Sequence, residues 1–293
     1  MLKLMLITNC VPIAVEAHRA GVDRIFIDLE RLGKHERQGH LDTHIASHTI
    51  DDAHRIRDAL PDTELLVRTN PLHDNSREEV DAIISAGTDV VMLPMFTTVG
   101  EVAQFAELVA GRADISLLVE TPQALVRINE ILDCSPDIRE VHLGLNDLHI
   151  AMGLDFMFEL LSGGIVDHAA NAVTSRGLVF GFGGIARLGN GDLPAEFVIG
   201  EHVRLGSSVV ILSRAFHQNA RTVEELRQRL DLASEVVQIR ECEAKFRTLP
   251  HSQLAANAHS IRRQVAQLVP TQHPTWPPMQ EVRQPAVERR PSA

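Results

Sequence analysis

Eight short apolar runs dominate the chain: KLMLITN, RIFIDL, ELLVRTN, DVVMLP, ISLLVET, EVHLGLND, LVFGFGG and SSVVILS. They begin at Lys3, Arg24, Glu64, Asp89, Ile115, Glu140, Leu178 and Ser207, and segments with helical spacing of apolar residues, such as Ser76 to Ser85 and Val99 to Val109, lie between them. The runs are almost continuously apolar rather than alternating, as expected of strands covered by helices outside and packed by side chains inside. Eight strands in βα alternation therefore predict an α/β fold, a closed (β/α)8 or TIM barrel. In such a barrel the carboxyl ends of the strands converge on one face, and these runs end in Asn9, Asp28, Arg68 with Asn70, Glu120 and Asp147.

After Ser213 the pattern changes to helix without strand, over Thr222 to Val236 and Ser252 to Leu268. The stretch from Pro270 to Ala293 carries six of the 14 prolines and the only tryptophan, Trp276, a composition expected of disorder. The expected organisation is a catalytic barrel over 1–218, a C-terminal helical extension over 219–268 and a Pro-rich disordered tail over 269–293. A chain of 293 residues, 44% of them hydrophobic, has ample material for that core.

Lys and Arg number 28 against 39 Asp and Glu, a formal charge of −11, which disfavours nonspecific attraction to nucleic acid or anionic membrane. The apolar start MLKLMLITNC lacks a basic flank and meets Thr8 and Asn9 before a signal core develops, and no later window is long enough to span a bilayer. The expectation is a cytoplasmic protein. Cys10, Cys134 and Cys242 form no CxxC pair, so neither a disulfide framework nor a thiolate metal cluster is supported, and Cys10 is expected to be a buried structural cysteine.

Glu120 and Asp147 lie one βα unit apart at adjacent strand ends, so both carboxylates point towards one cavity. Two hard anionic oxygens, completed by water, suit Mg²⁺ or Mn²⁺, whereas the alternative for each is a helix cap or loop tether. Arg68 ends strand three, where a permanently charged planar guanidinium can hold a substrate carboxylate or an enolate oxygen, or else pair with Glu120 or Asp28. Asp28 and Glu30 end strand two, suited to proton transfer or to a rim salt bridge. Gly183 and Gly184, in a glycine-rich loop from Gly181 to Gly191 that follows strand seven, offer backbone N–H groups for an anion, or simple turns. The only lysines are Lys3, Lys34 and Lys245, none at a strand carboxyl end, which argues against a Schiff-base mechanism and favours carbonyl activation by metal.

IDLE, VRTN, DVVMLP, LLVETPQAL and LGLNDL, in this order and at these strand ends, resemble the HpcH/HpaI aldolase and citrate lyase β-subunit family over residues 3 to 215. That resemblance implies a metal-dependent barrel that makes or breaks a C–C bond next to a 2-keto acid or an acyl-CoA. It further implies that Glu120 and Asp147 hold the divalent ion, that Arg68 binds the carbonyl oxygen that becomes the enolate, and that the protein is a homo-oligomer. One position departs from the pattern. Where the keto-acid aldolases carry a histidine after the D-x-E triplet, and the CoA-ester lyases a further acid, this chain has Arg31.

The loop after strand two holds His35, His40, His44 and His48. Spacings of four first suggest zinc, but the carboxylates are the better ligands, and the missing base is either a water set by Asp28 or a histidine of this loop, His35 and His40 being nearest Asp28 in sequence. His44 and His48 precede the apparent helix at Ile50 and are equally capping or packing residues. Arg31, Lys34 and Arg37 make the loop positive, suited to an anionic substrate. The expected reaction is a retro-aldol cleavage through a pyruvate-type enolate. A CoA-ester lyase or thioesterase, suggested by DLE and by the compact spacing of Arg68 and Glu120, and a binding barrel without turnover are the alternatives.

Overall fold

The computed structural model describes residues 1–32, 48–217 and 220–269. His35, His40 and His44, with Lys34 and Arg37, lie outside the described residues, as does the Pro-rich tail from residue 270.

Strands β1 (Lys3–Ile7), β2 (Arg24–Asp28), β3 (Glu64–Arg68), β4 (Val90–Leu93), β5 (Asp114–Val119), β6 (Ile138–Leu143), β7 (Val179–Ile185) and β8 (Val209–Leu212) close in sequence order, all parallel, with β8 returning to β1. The expected eight-stranded TIM-type barrel is the observed fold. Two sets of side chains explain why the strand sequences are apolar on both faces. Met5, Phe26, Leu66, Val90, Met92, Leu118 and Val209 fill the barrel, while Leu4, Ile25, Val67, Val91, Leu117 and Val141 pack outward beneath the helices.

The amino-terminal end of the barrel is closed by charge. Arg24, 2% exposed, donates Nη1 to Glu140 Oε1 at 2.8 Å and pairs with Glu64, which also takes Lys3 Nζ at 2.7 Å. Ser116 Oγ donates to Glu140 at 3.1 Å. Two cations thus face two carboxylates, a pairing that makes their burial tolerable. Burial alone draws the Arg24 guanidinium pKa down, and Glu140 and Glu64 more than reverse it.

The helices form where the sequence predicts, with Ser76–Ser85 and Val99–Val109 reproduced to the residue and Ile50–Ala59 starting at the expected position. Threonines cap several of them. Thr49 and Thr98 make reciprocal capping boxes with Asp52 and Glu101. The single helix expected over Thr222 to Val236 is instead two, Val223–Arg229 and Leu232–Arg247, because Leu230 is extended and Asp231 caps the second through Ser234 N–H at 3.1 Å. That second helix ties itself to the first strand, with Glu243 accepting from Leu2 N–H at 2.7 Å, and helix His251–Leu268 packs through Asn257 on helix Ala195–Arg204. Among the described residues no helix is long and apolar enough to cross a membrane. Cys10, expected to be buried, is half-buried, with Sγ 3.5 Å from the Arg221 carbonyl oxygen.

Candidate active site

The alternation of β2 carries Arg24 and Phe26 into the barrel, so Asp28 also points inward, at the carboxyl end. The register places Arg68 of β3 directly beside it. The guanidinium engages the carboxylate in a two-point fork, Nε to Oδ1 at 2.9 Å and Nη2 to Oδ2 at 2.7 Å, and lies 3.3 Å from Glu30 Oε2. The two carboxylates are buried, 5% exposed or less, and Arg68 is 12% exposed. Below the fork is the Phe26 ring, 5.7 Å from the guanidinium carbon. Burial lowers the Arg68 pKa, and the charges of Asp28, Glu30 and Glu120 outweigh that effect and raise it, so the group is a permanent cation.

Glu120 follows β5 and is 3% exposed. Its Oε1 accepts from Met95 N–H at 3.2 Å, and Met95, just past β4, has φ of 57°, a left-handed conformation uncommon outside glycine. Gly144, at the end of β6, packs on the same carboxylate. A Cβ there would lie 2.8 Å from Glu120 Cβ and 2.9 Å from Oε2, closer than such atoms approach, so the packing on Glu120 requires glycine. Asp147 stands three residues on, in the first turn of helix Leu145–Ala151 rather than on a strand, and is half-buried.

This donor set suits a hard divalent ion. Glu120 and Asp147 are both carboxylates, a Cβ at Gly144 would crowd Glu120 Oε2, and two protein oxygens with water for the rest is an ordinary Mg²⁺ or Mn²⁺ arrangement. Among the described residues no group of three or more His, Cys, Asp and Glu side chains gathers into a richer cage.

Arg31, expected to face an anionic substrate, is exposed, and its Nη2 donates to the backbone oxygen of His48 at 2.8 Å. Its N–H and that of Leu32 both donate to Asn70 Oδ1, at 2.8 and 3.1 Å. His48 is buried, and its Nδ1 accepts from the Asp28 N–H at 3.0 Å. The structure therefore brings together Asp28, Glu30, Arg68, Glu120 and His48. Sequence reading singled out the first four and left His48 among capping or packing residues.

Gly183 and Gly184 lie inside β7, not in a loop after it, at a shift in pairing with β8. Gly183 has φ of 50° and its oxygen is 2.9 Å from Nε2 of His142, a fully buried imidazole on β6. Gly181 is required one layer down, since a Cβ there would stand 2.4 Å from Val209 Cγ2 and 2.6 Å from His142 Nδ1. Burial pushes the His142 pKa down, and the ring is neutral with Nε2–H donating to Gly183. Met95, Gly144 and His142 had no sequence signal of their own, because each matters through a neighbour far along the chain.

The HpcH/HpaI aldolase/citrate lyase family model matches residues 9–158. The solved structure of an HpcH/HpaI aldolase from Desulfitobacterium hafniense superposes with a TM-score of 0.56 over 85% of this chain and 94% of that one, at 15% identity, a likeness of fold. A pyruvate kinase from Methylorubrum extorquens is 31% identical over 97 residues, 33% of this chain. The match covers only 19% of that kinase's length.

Proposed function

This chain belongs to the HpcH/HpaI aldolase/citrate lyase family, and from that premise we propose that it is a divalent-metal-dependent carbon–carbon lyase acting next to a 2-keto acid through a pyruvate-type enolate. The observation that carries this reading is Arg68, held by Asp28 and faced by Glu30 and Glu120 at the carboxyl end of the barrel. One guanidinium among three carboxylates makes a pocket suited both to a metal cation and to a substrate that brings its own negative oxygens.

In this reading Glu120 and Asp147 hold Mg²⁺ or Mn²⁺. The ion, when bound, supplies Lewis-acid polarisation of the 2-keto group. The chain's own part is orientation. Asp28 takes the Nε–Nη2 edge of the guanidinium, which leaves the Nη1 side of Arg68 to donate to the oxygen on which enolate charge develops. A carboxylate used this way fixes a plane and so stabilises charge at a defined point. Asp28 Oδ1 also accepts the Glu30 N–H at 3.1 Å, which locks the fork further. In cleavage the distal hydroxyl gives its proton to a base, its carbon–oxygen bond becomes a carbonyl, and the C–C bond breaks with its electron pair passing into the enolate. A water set by Asp28, or His35 or His40, which follow β2 in sequence, is the candidate base.

The test is deuterium exchange into the methyl group of pyruvate, followed by proton NMR with Mn²⁺ or Mg²⁺ present. Exchange is expected with the wild-type protein and is expected to be lost in Glu120→Ala. Absence of exchange with every divalent ion would overturn the enolate reading, and exchange surviving in Glu120→Ala would overturn the metal assignment. Acetyl-CoA run in parallel separates the keto-acid from the CoA-ester alternative.

A further inference from the structure

Asp28 is the last residue of β2, and its backbone poses a problem that the strand ladder does not solve. The Phe26 oxygen faces β1, where it accepts Thr8 N–H at 3.2 Å, and the Leu29 N–H faces β3, where it donates to the Arg68 oxygen at 3.0 Å. By the period of two, the Asp28 N–H faces β1 as well. β1 has ended at Ile7 by then, and the chain has turned towards helix Val11–Arg19. A buried N–H at that point needs an acceptor from elsewhere.

His48 provides it. Thr49 caps helix Ile50–Ala59 in a capping box with Asp52, and Asn9, at the end of β1, donates Nδ2 to Asp52 Oδ2 at 3.2 Å. The residue before the cap is thereby delivered to the end of β1, and its imidazole Nδ1 lies 3.0 Å from the Asp28 nitrogen. From the opposite side Arg31 Nη2 grips the His48 carbonyl at 2.8 Å, while Asn70 Oδ1 holds the Arg31 and Leu32 N–H groups. A backbone N–H can only donate. Nδ1 is therefore unprotonated, and the neutral ring carries its hydrogen on Nε2.

We propose that His48 is a positioning residue of the active site: its Nδ1 holds the end of β2, and thereby the Asp28 carboxylate that orients Arg68, while Arg31 fastens His48 rather than meeting the substrate. The proposal rests on the reading that the Asp28–Arg68 fork serves the reaction. It gives Arg31 a role through the backbone of another residue, consistent with its exposure. Because Nδ1 is engaged as an acceptor, the ring acts here by its lone pair and not by taking up a proton.

Two measurements on the full chain test it. In protein labelled with ¹⁵N-histidine, the His48 signals are identified by their absence from His48→Asn, and at neutral pH they are expected to show an unprotonated Nδ1 and a protonated Nε2. The reverse tautomer or a doubly protonated ring overturns the proposal whatever the protein catalyses. In the pyruvate exchange assay with Mn²⁺, His48→Leu is expected to lose roughly 10- to 100-fold in kcat with a smaller change in KM. His48→Asn, whose Oδ1 can stand where Nδ1 accepts, is expected to keep most of the rate. Arg31→Gln, which retains the backbone bonds to Asn70, is expected to lower kcat in the same direction and serves where His48→Leu does not fold. A folded His48→Leu protein with wild-type turnover, or an equal loss in the Asn and Leu variants, removes the acceptor role. If the wild-type protein itself gives no exchange, the keto-acid reading falls, and the nitrogen spectrum alone decides the place of His48.

Discussion

At the scale of single residues, the site depends on what is absent as much as on what is present. Gly144 has no conspicuous motif role, yet a methyl group there would press on both Cβ and Oε2 of Glu120. Gly144→Ala is expected to fold and to bind Mn²⁺ at least about 10-fold more weakly, a loss typical of disturbing the support of a metal ligand. Electron paramagnetic resonance of free Mn²⁺ in a titration reads this directly. Unchanged affinity would mean that Glu120 Oε2 does not serve the ion. Arg68, Asp28 and Glu30 were legible as site residues because charged groups at the end of an apolar strand need a reason to be there. Their mutual geometry was not legible. Whether Arg68 paired with Asp28 or with Glu120 depended on strand register, and the fork with Asp28 is what the fold provides.

Individual elements place these residues by their ends. The capping box at Thr49 starts helix Ile50–Ala59, and the same Asp52 carboxylate that completes it accepts from Asn9. Thr49→Ala removes the acceptor for Asp52 N–H and is expected to cost about 1 kcal/mol of stability by urea denaturation, the usual worth of such a cap. Because His48 adjoins the cap, the same substitution is expected to lower the exchange rate, whereas Thr98→Ala, at the capping box of helix Val99–Val109, is expected to match the stability loss alone. Equal effects of the two on rate would detach the cap from the site. The segment between Thr222 and Val236 shows the limit of periodicity. Its apolar spacing runs on through Leu230 and Leu232, and only the side chain of Asp231, acting as a cap, breaks it in two.

Across the whole molecule, buried imidazoles set the acid limit. His202 is fully buried on helix Ala195–Arg204, stacked on Phe182 with ring centroids 3.9 Å apart and Nδ1 2.7 Å from Ser207 Oγ. Burial, reinforced by His142 nearby, depresses its pKa to about 3. The folded state therefore keeps the ring neutral while the unfolded chain takes up a proton below the ordinary imidazole pKa of about 6.5. Stability from this group is intact above that pH and falls by roughly 1.4 kcal/mol per pH unit on the way down towards the folded-state pKa. Urea melts between pH 7 and pH 4 are expected to show this slope, and His202→Phe, which preserves the stack, is expected to flatten it. An unchanged slope in that variant would assign the acid sensitivity to other groups.

The barrel follows from the chain's pattern alone, because strands apolar on both faces and separated by amphipathic helices have few other ways to hide both surfaces from water. That pattern also determined that the polar strand ends Asp28, Arg68 and Glu120 would share one rim, since parallel strands in a closed barrel all end on the same side. Asp147 stands in the first turn of the helix after β6 rather than at the strand end itself. Contacts between residues distant in the chain emerge only on folding: the Asp28–Arg68 fork, the close approach of Gly144 to Glu120, and the imidazole of His48 completing the hydrogen bonding of β2. The physical reason is common to all three. Burial periodicity is written locally, residue by residue, but the partner of a buried polar group is fixed by strand register and helix caps, which exist only once the barrel has closed.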